Sequence, residues 1–319
     1  MSGRVDAARL LVACVALIAG AGLGCAPAYD AQTLYSQLQN SDIEVREDAR
    51  EKIESMIQQG RYEVFLKGAA SPNKSYRAPA ILDLARMEQP AARAALRQLL
   101  RQEQRQMIPY NPIRMKPTTE ETDSRILVAH LIHLHGGDPE AVKPLLEGAE
   151  EQDPDVLTGT CYALGALHEP AAIPFLTIAS RHPEMDVARA AAQALSTFNT
   201  PEALAALKTL LSHPSEEVRG EVLSGLELHE GPEVIEMLKT VALSDPSTEI
   251  RTTAISQLSR FKDASVVAFL IEQLRGRDDA SRQAALAALR ALSGQSFGPN
   301  PASWTRWWDA HRTSFAAGR

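Results

Sequence analysis

Aromatic residues are scarce in this chain, 5% of 319, and cysteine is scarcer still, at three. So few aromatics leave little for a deep ligand pocket and point any interface toward an extended polar one. Cys14 and Cys25 lie near the start and Cys161 stands alone in the remainder, so no disulfide framework is expected. Positive charge is not in excess: 33 Lys and Arg face 40 Asp and Glu, for a net charge of −7, where a nucleic-acid binder wants a basic stripe. Clean period-two alternation is missing, which argues against half-buried strands. Also missing are a metal-type Cys pair, a Gly-rich phosphate loop, a Gly-x-Ser-x-Gly elbow and paired catalytic carboxylates. No catalytic residue is therefore assigned, and no cofactor is expected.

What is present is apolar and small. Hydrophobic residues make up 45% of the chain, enough for a folded protein, and most of them are Ala and Leu. That is the composition of an all-helical fold.

The only long apolar run is residues 10–25, LLVACVALIAGAGLGC, behind Arg4 and Arg9. It has the layout of an export signal and is short for a membrane span. Its end, GLGC, resembles a bacterial lipoprotein signal, which implies a lipid on Cys25 as first mature residue, with 1–24 removed. Gly22 stands where that signal usually has a leucine, and LVAC at 11–14 sits inside the apolar run. An ordinary cleaved signal and an uncleaved anchor are the alternatives. Loss of Arg4, Arg9 and Asp6 would move the net charge from −7 to −8. The expected address is a bacterial envelope membrane, facing the periplasm.

The rest of the chain repeats itself. HPSEEVRGEVLSGLE at 213–227 echoes DPSTEIRTTAISQLS at 245–259 and HPEMDVARAAAQALS at 182–196. Anchors taken at Arg46, Arg77, Arg125, Leu157, Ala188, Arg219, Arg251 and Arg282 are spaced 31, 48, 32, 31, 31, 32 and 31 residues apart. Seven positions after every anchor is Leu or Ile: Ile53, Leu84, Ile132, Leu164, Leu195, Leu226, Leu258 and Leu289. Three positions after it the residue is small or β-branched, from Ala49 and Ala80 to Ala254 and Ala285. Offsets of three and seven share one helix face, with the small residue where a neighbour comes close. A second column, Pro90, Pro139, Pro170, Pro201 and Pro232, continued by Ala264, marks the start of another helix in each unit. Asp138, Thr200 and Asp263 stand before it as N-caps.

Units of this length and wording resemble HEAT-like repeats of the short, phycobilisome-lyase-related type, over nearly all of 31–293. The resemblance implies a right-handed α-solenoid of about eight two-helix units, each burying its apolar face on the next. At interaxial distances of about 8–10 Å, eight units make a rod on the order of 70–80 Å long. The domains expected are a signal at 1–24, the solenoid at 25–293 and a Trp-rich capping segment at 294–319. The 48-residue spacing places an insertion at about 102–122, where Pro109, Pro112 and Pro117 exclude a helix. It is either a tolerated surface loop or a recognition element presenting Tyr110, Arg114 and Lys116. Trp304, Trp307 and Trp308 share one face of a last helix; the segment resembles a terminal tag found after HEAT-like arrays in some bacteria. They read as a cap on the final unit, or as an aromatic anchor for a partner.

The anchor arginines, Arg46, Arg77, Arg125, Arg219, Arg251 and Arg282, read as a structural ladder with acids such as Asp42, Asp123, Glu217 and Glu249. Leu157 and Ala188 interrupt it. His130 and His133, three apart in HLIHLH, are the weak metal candidates, with Tyr162 as a further donor. HEAT-like deoxyhypusine hydroxylases hold iron with His-Glu pairs near the start of second helices. His168-Glu169 and His229-Glu230 fall instead at helix ends, two units apart, so no metal is assigned. The reading that follows is a lipid-anchored, non-enzymatic scaffold binding a protein partner on a concave face with exposed Glu51, His130, Gln193 and Glu221. The alternative is an enzyme, either phycobilin-lyase-like or an iron-dependent oxidoreductase resembling deoxyhypusine hydroxylase.

Overall fold

The computed structural model describes residues 30–101, 107–111, 116–149 and 153–316. The signal region and Cys25 lie outside the described residues. Helices come in eight consecutive pairs: α1 (Ala31–Gln37) with α2 (Ile43–Gln58), α3 (Tyr62–Ala69) with α4 (Lys74–Ala85), α5 (Pro90–Leu100) with α6 (Ser124–Leu134), and α7 (Val142–Gly148) with α8 (Pro154–Leu167). Then follow α9 (Ile173–Ala179) with α10 (Met185–Ser196), α11 (Pro201–Leu210) with α12 (Glu216–Gly225), α13 (Pro232–Ser244) with α14 (Thr248–Leu258), and α15 (Ala264–Gln273) with α16 (Asp279–Ser293). A single helix, α17 (Pro301–Ala316), ends the array. Every anchor residue falls on the second helix of its pair.

The columns read from the sequence are the core. All eight residues at the seventh position are buried, the most exposed being Ile132 at 6%, and those at the third position are at 0%. The predicted caps are made: Asp138 accepts from the backbone N–H of Glu140, Thr200 from that of Ala203 and Asp263 from that of Ser265. Two units deviate at the start of their first helix. Pro139–Ala141 and Pro170–Ala172 are 3-10 turns leading into α7 and α9. A second proline explains both, because Pro144 and Pro174 have no N–H to return to the carbonyls of Glu140 and Pro170.

Second helices stack on one another in a row, α6 on α8, α8 on α10, α10 on α12, and α14 on α16. Glycines let them approach. A Cβ on Gly165 would lie 2.9 Å from the Cα of Ala194, and one on Gly225 would lie 2.2 Å from the Cβ of Ser196. First helices touch each other less.

The insertion is not a featureless loop. β1 (Met107–Asn111) and β2 (Lys116–Asp123) pair antiparallel into a two-stranded ribbon that lies against α4 and α6. Its register shifts between Pro109 and Tyr110, where proline offers no ladder donor. At the other end, α17 packs on α15. Trp304 is fully buried there, its indole N–H donates to the carbonyl of Gly298 at 2.9 Å, and Phe297 meets its ring edge-on. Trp304 therefore caps the last unit, which corrects its assignment as a partner contact: no surface of it is left to offer. Trp307 and Trp308 are half-buried beside it. Among the described residues no helix is long and apolar enough to cross a membrane.

Candidate functional site

Two edges and one face of the rod gather its chemistry. The first edge holds the turns that lead into second helices. There the anchor arginines fold back onto the preceding turn: Arg77 donates to the carbonyls of Ser71 and Pro72, Arg219 to those of His213 and Pro214, and Arg251 to those of Asp245 and Pro246. Those carbonyls offset the unfavourable helix-start position. Two anchor arginines also pair with an acid of the next unit. Arg219 grips Asp245 with two bonds of 2.7 and 3.0 Å, and Arg251 reaches Asp278 at 2.8 Å.

The acids that complete these rungs are not the ones just before the anchors. Asp42 caps α2, and Glu217 accepts from the Ser215 hydroxyl. Asp123 does pair with its own anchor, Arg125, which also reaches Thr160 of the next unit at 3.3 Å, and Asp279 pairs with Arg282. The rung acid stands instead on the following turn, 26 or 27 residues on.

That placement gives the interruption a pattern. After Leu157 the following turn carries His182, and after Ala188 it carries His213, in the slot that Asp245 fills after Arg219; Asp278 completes the Arg251 rung from the N-cap position two residues further on. Arginine and acid are lost together. The histidines keep the other half of the aspartate's work. Asp245 accepts from the N–H of Ser247 at 2.9 Å, and the Nδ1 atoms of His182 and His213 accept from Glu184 and Ser215 at 3.1 Å each.

The second edge, where second helices end, carries a column of rings. His133 stacks on His168 with centroids 4.4 Å apart, and His168 meets Phe198 at 5.8 Å. His168 has φ of 55°, the one non-glycine in left-handed backbone among the described residues. His229 is buried and donates through Nε2 to the carbonyl of Ser196, bridging two units. Arg260 lies over Phe261 at 4.2 Å and donates to the carbonyls of Leu226 and His229. The structure thus brings His133 to His168, a partner that sequence spacing did not suggest. Burial, with the nearby His133 and His168, pushes the His130 pKa down. Among the described residues, no group of three or more His, Cys, Asp or Glu side chains converges to hold a metal ion.

The face between the edges is the exposed side of the second helices. Glu51 and Gln193 are exposed on it, and His130 and Glu221 are half-buried. Burial raises the pKa of Tyr162 and of Glu221, while the Arg189 cation works against both shifts. Arg189 itself pairs with Asp186 at 3.3 Å. The face at mid-rod is therefore a patch of polar groups around one arginine. Cys161 points away from it, fully buried, and desolvation pushes its thiol up to about 12, too high for a thiolate nucleophile. Of the insertion residues, Tyr110 lies in β1 and Lys116 opens β2. Arg114 falls outside the described residues.

No curated protein matches the chain. Among solved structures it is similar to human deoxyhypusine hydroxylase in complex with glycerol, at 16% identity over 76% of this chain and 100% of that one, with a TM-score of 0.30. It is similar to YibA of Escherichia coli, at 15% identity over 92% and 99%, with a TM-score of 0.40. A third is the complex of CpcE and CpcF of phycocyanin lyase from Nostoc sp. PCC7120, at 18% identity over 91% and 98%, with a TM-score of 0.32. Identities and scores this low carry no argument about activity. A model of HEAT repeats matches residues 118–196, 142–216, 176–247 and 204–290. Those matches together span more than half of the chain, over units whose stacking is the one just described, and the chain belongs to the HEAT repeat family.

Proposed function

We propose that this chain is a non-enzymatic scaffold of a bacterial envelope, held to a membrane by a lipid on Cys25 and binding another protein along its second-helix face. The observation that carries this reading is the row itself. Second helices stack through all the middle units, and their outward positions are polar, with Gln193 exposed beside the Arg189 patch. HEAT repeats commonly mediate protein interactions, and a long polar face suits a chain with few aromatic anchors. Trp307, Trp308 and the insertion residues Tyr110, Arg114 and Lys116 are secondary contacts in this reading. The enzymatic alternative draws no support from Cys161, which is buried, or from His168 and His229, which serve helix ends.

Two measurements test it. Intact mass of protein made with its own signal and taken from membranes should show a chain beginning at Cys25 with a diacylglyceryl modification; an unlipidated chain carrying stoichiometric iron overturns the proposal. A photo-crosslinker at Gln193 should capture a partner that one at Thr209, exposed on α11, does not. Equal capture from both positions would remove the second-helix face from the account.

A further inference from the structure

Seven of the eight histidines lie between positions 130 and 229, in the third to sixth units. Several have work that only a neutral ring can do. The Nδ1 atoms of His182 and His213 accept backbone N–H bonds at 3.1 Å, and a protonated imidazole has no acceptor. His133 and His168 stack face to face at 4.4 Å, with His130 one turn before His133. Two charged rings at that distance would repel. His229 is different, because its bond to Ser196 needs only an N–H, which both forms supply.

The surrounding charges set how far protonation is opposed or helped. For His130, the ionisable groups that bear on it are His133 and His168 themselves. Beside His168 stands Glu169, with its carboxylate turned toward Gly137. His213 shares a cleft with Lys208, Arg219, Glu236 and Asp245, with Glu216 and Glu217 opening α12; Asp245 is committed to Arg219. Near His182 are Arg181, Glu184 and Asp186, the last paired with Arg189.

We propose that the third to sixth units form a proton-sensitive section of the rod: protonation of His133, His168, His182 and His213 unstacks the ring pair, removes two turn caps and loosens those units while the last two stay closed. The last two units are built differently. Their rung acid Asp278 is pushed down to about 2 by the Ser281 hydroxyl and by Arg251, so it stays ionised through the range where histidine titrates. The proposal goes beyond the scaffold reading and does not depend on it.

Hydrogen–deuterium exchange of the whole chain, corrected for intrinsic exchange, tests it without a partner. Between about pH 7.5 and about pH 5.5, protection in α6, α8, α10 and the start of α12 should fall roughly tenfold or more. Protection in α14 and α16 should not change. The variant H133Q/H168N/H182N/H213N should lose that pH response, since asparagine caps turns, tolerates left-handed backbone and does not titrate. If that variant does not fold, H182N/H213N should still remove the response at the two turns. Unchanged protection in the middle units of the natural chain, an equal fall along the whole rod, or a response that survives the substitutions would each overturn the proposal.

Discussion

Arg219 sits in the first turn of its helix, where the dipole repels a cation, yet its side chain is 6% exposed and that of Asp245 is 3%. The guanidinium holds because it has carbonyls behind it and a carboxylate in front. Burial works against ionised Asp245, but the Arg219 bonds and the Ser247 N–H outweigh it and keep its pKa below the usual value. Removing one partner of such a pair strands the other. Asp245→Ala should therefore cost about 3–5 kcal/mol in urea unfolding, whereas Asp48→Ala, at an exposed pair with Lys52, should cost about 0–1 kcal/mol. Acid reads the same rungs. Asp278 has a folded pKa below its unfolded one, so its contribution is complete above the ordinary carboxylate range and fades as pH falls toward about 2. The stability difference between the natural chain and Asp278→Asn should be largest at neutral pH and vanish in acid unfolding near about pH 2.

At the scale of elements, the helix–helix spacing depends on a few positions without a side chain. Gly165 faces the backbone of Ala194, which cannot turn aside as a side-chain tip could. Gly165→Ala should separate α8 from α10 and cost about 1–3 kcal/mol. Gly220 has only the Cδ1 of Ile250 at 3.5 Å. Gly220→Ala should be neutral or stabilising by about 0.5–1 kcal/mol, since alanine is the better helix former. Thermal unfolding of the two variants side by side checks the contrast. Pattern alone could not separate them: both are glycines on second helices, and only the neighbour across the gap differs. The two 3-10 starts were harder to see for a similar reason. Pro139 and Pro170 signalled a helix start, and the later Pro144 and Pro174 reshaped it.

For the whole molecule the ends matter most, because each interior unit is covered on both sides and the terminal ones are not. At the first end Tyr35 on α1 is buried and donates to Asp83 of α4 at 2.8 Å. At the last, Trp304 covers α15. Trp304→Ala should cost about 3–5 kcal/mol and expose the final unit, seen as early exchange in α15 and α16 together with concentration-dependent association. Trp308→Ala, at a half-buried ring touching Phe315, should cost distinctly less.

Local repetition was enough to determine the helices, their pairing into units, the buried columns and three N-caps, because each depends on residues within a turn or two of one another. The insertion was legible as an interruption but its ribbon was not, since strand pairing joins residues up to 16 positions apart through a bulge at Pro109. Contacts between units lay beyond local pattern. That Arg219 meets an acid on the following turn, that His133 stacks on His168, and that Trp304 is spent on capping all depend on which faces meet across a helix gap. The sequence named the anchor arginines and the histidines as residues with work to do. The stacking of one unit on the next decided which partners they have, and therefore which of them are structural and which remain free to respond to solvent.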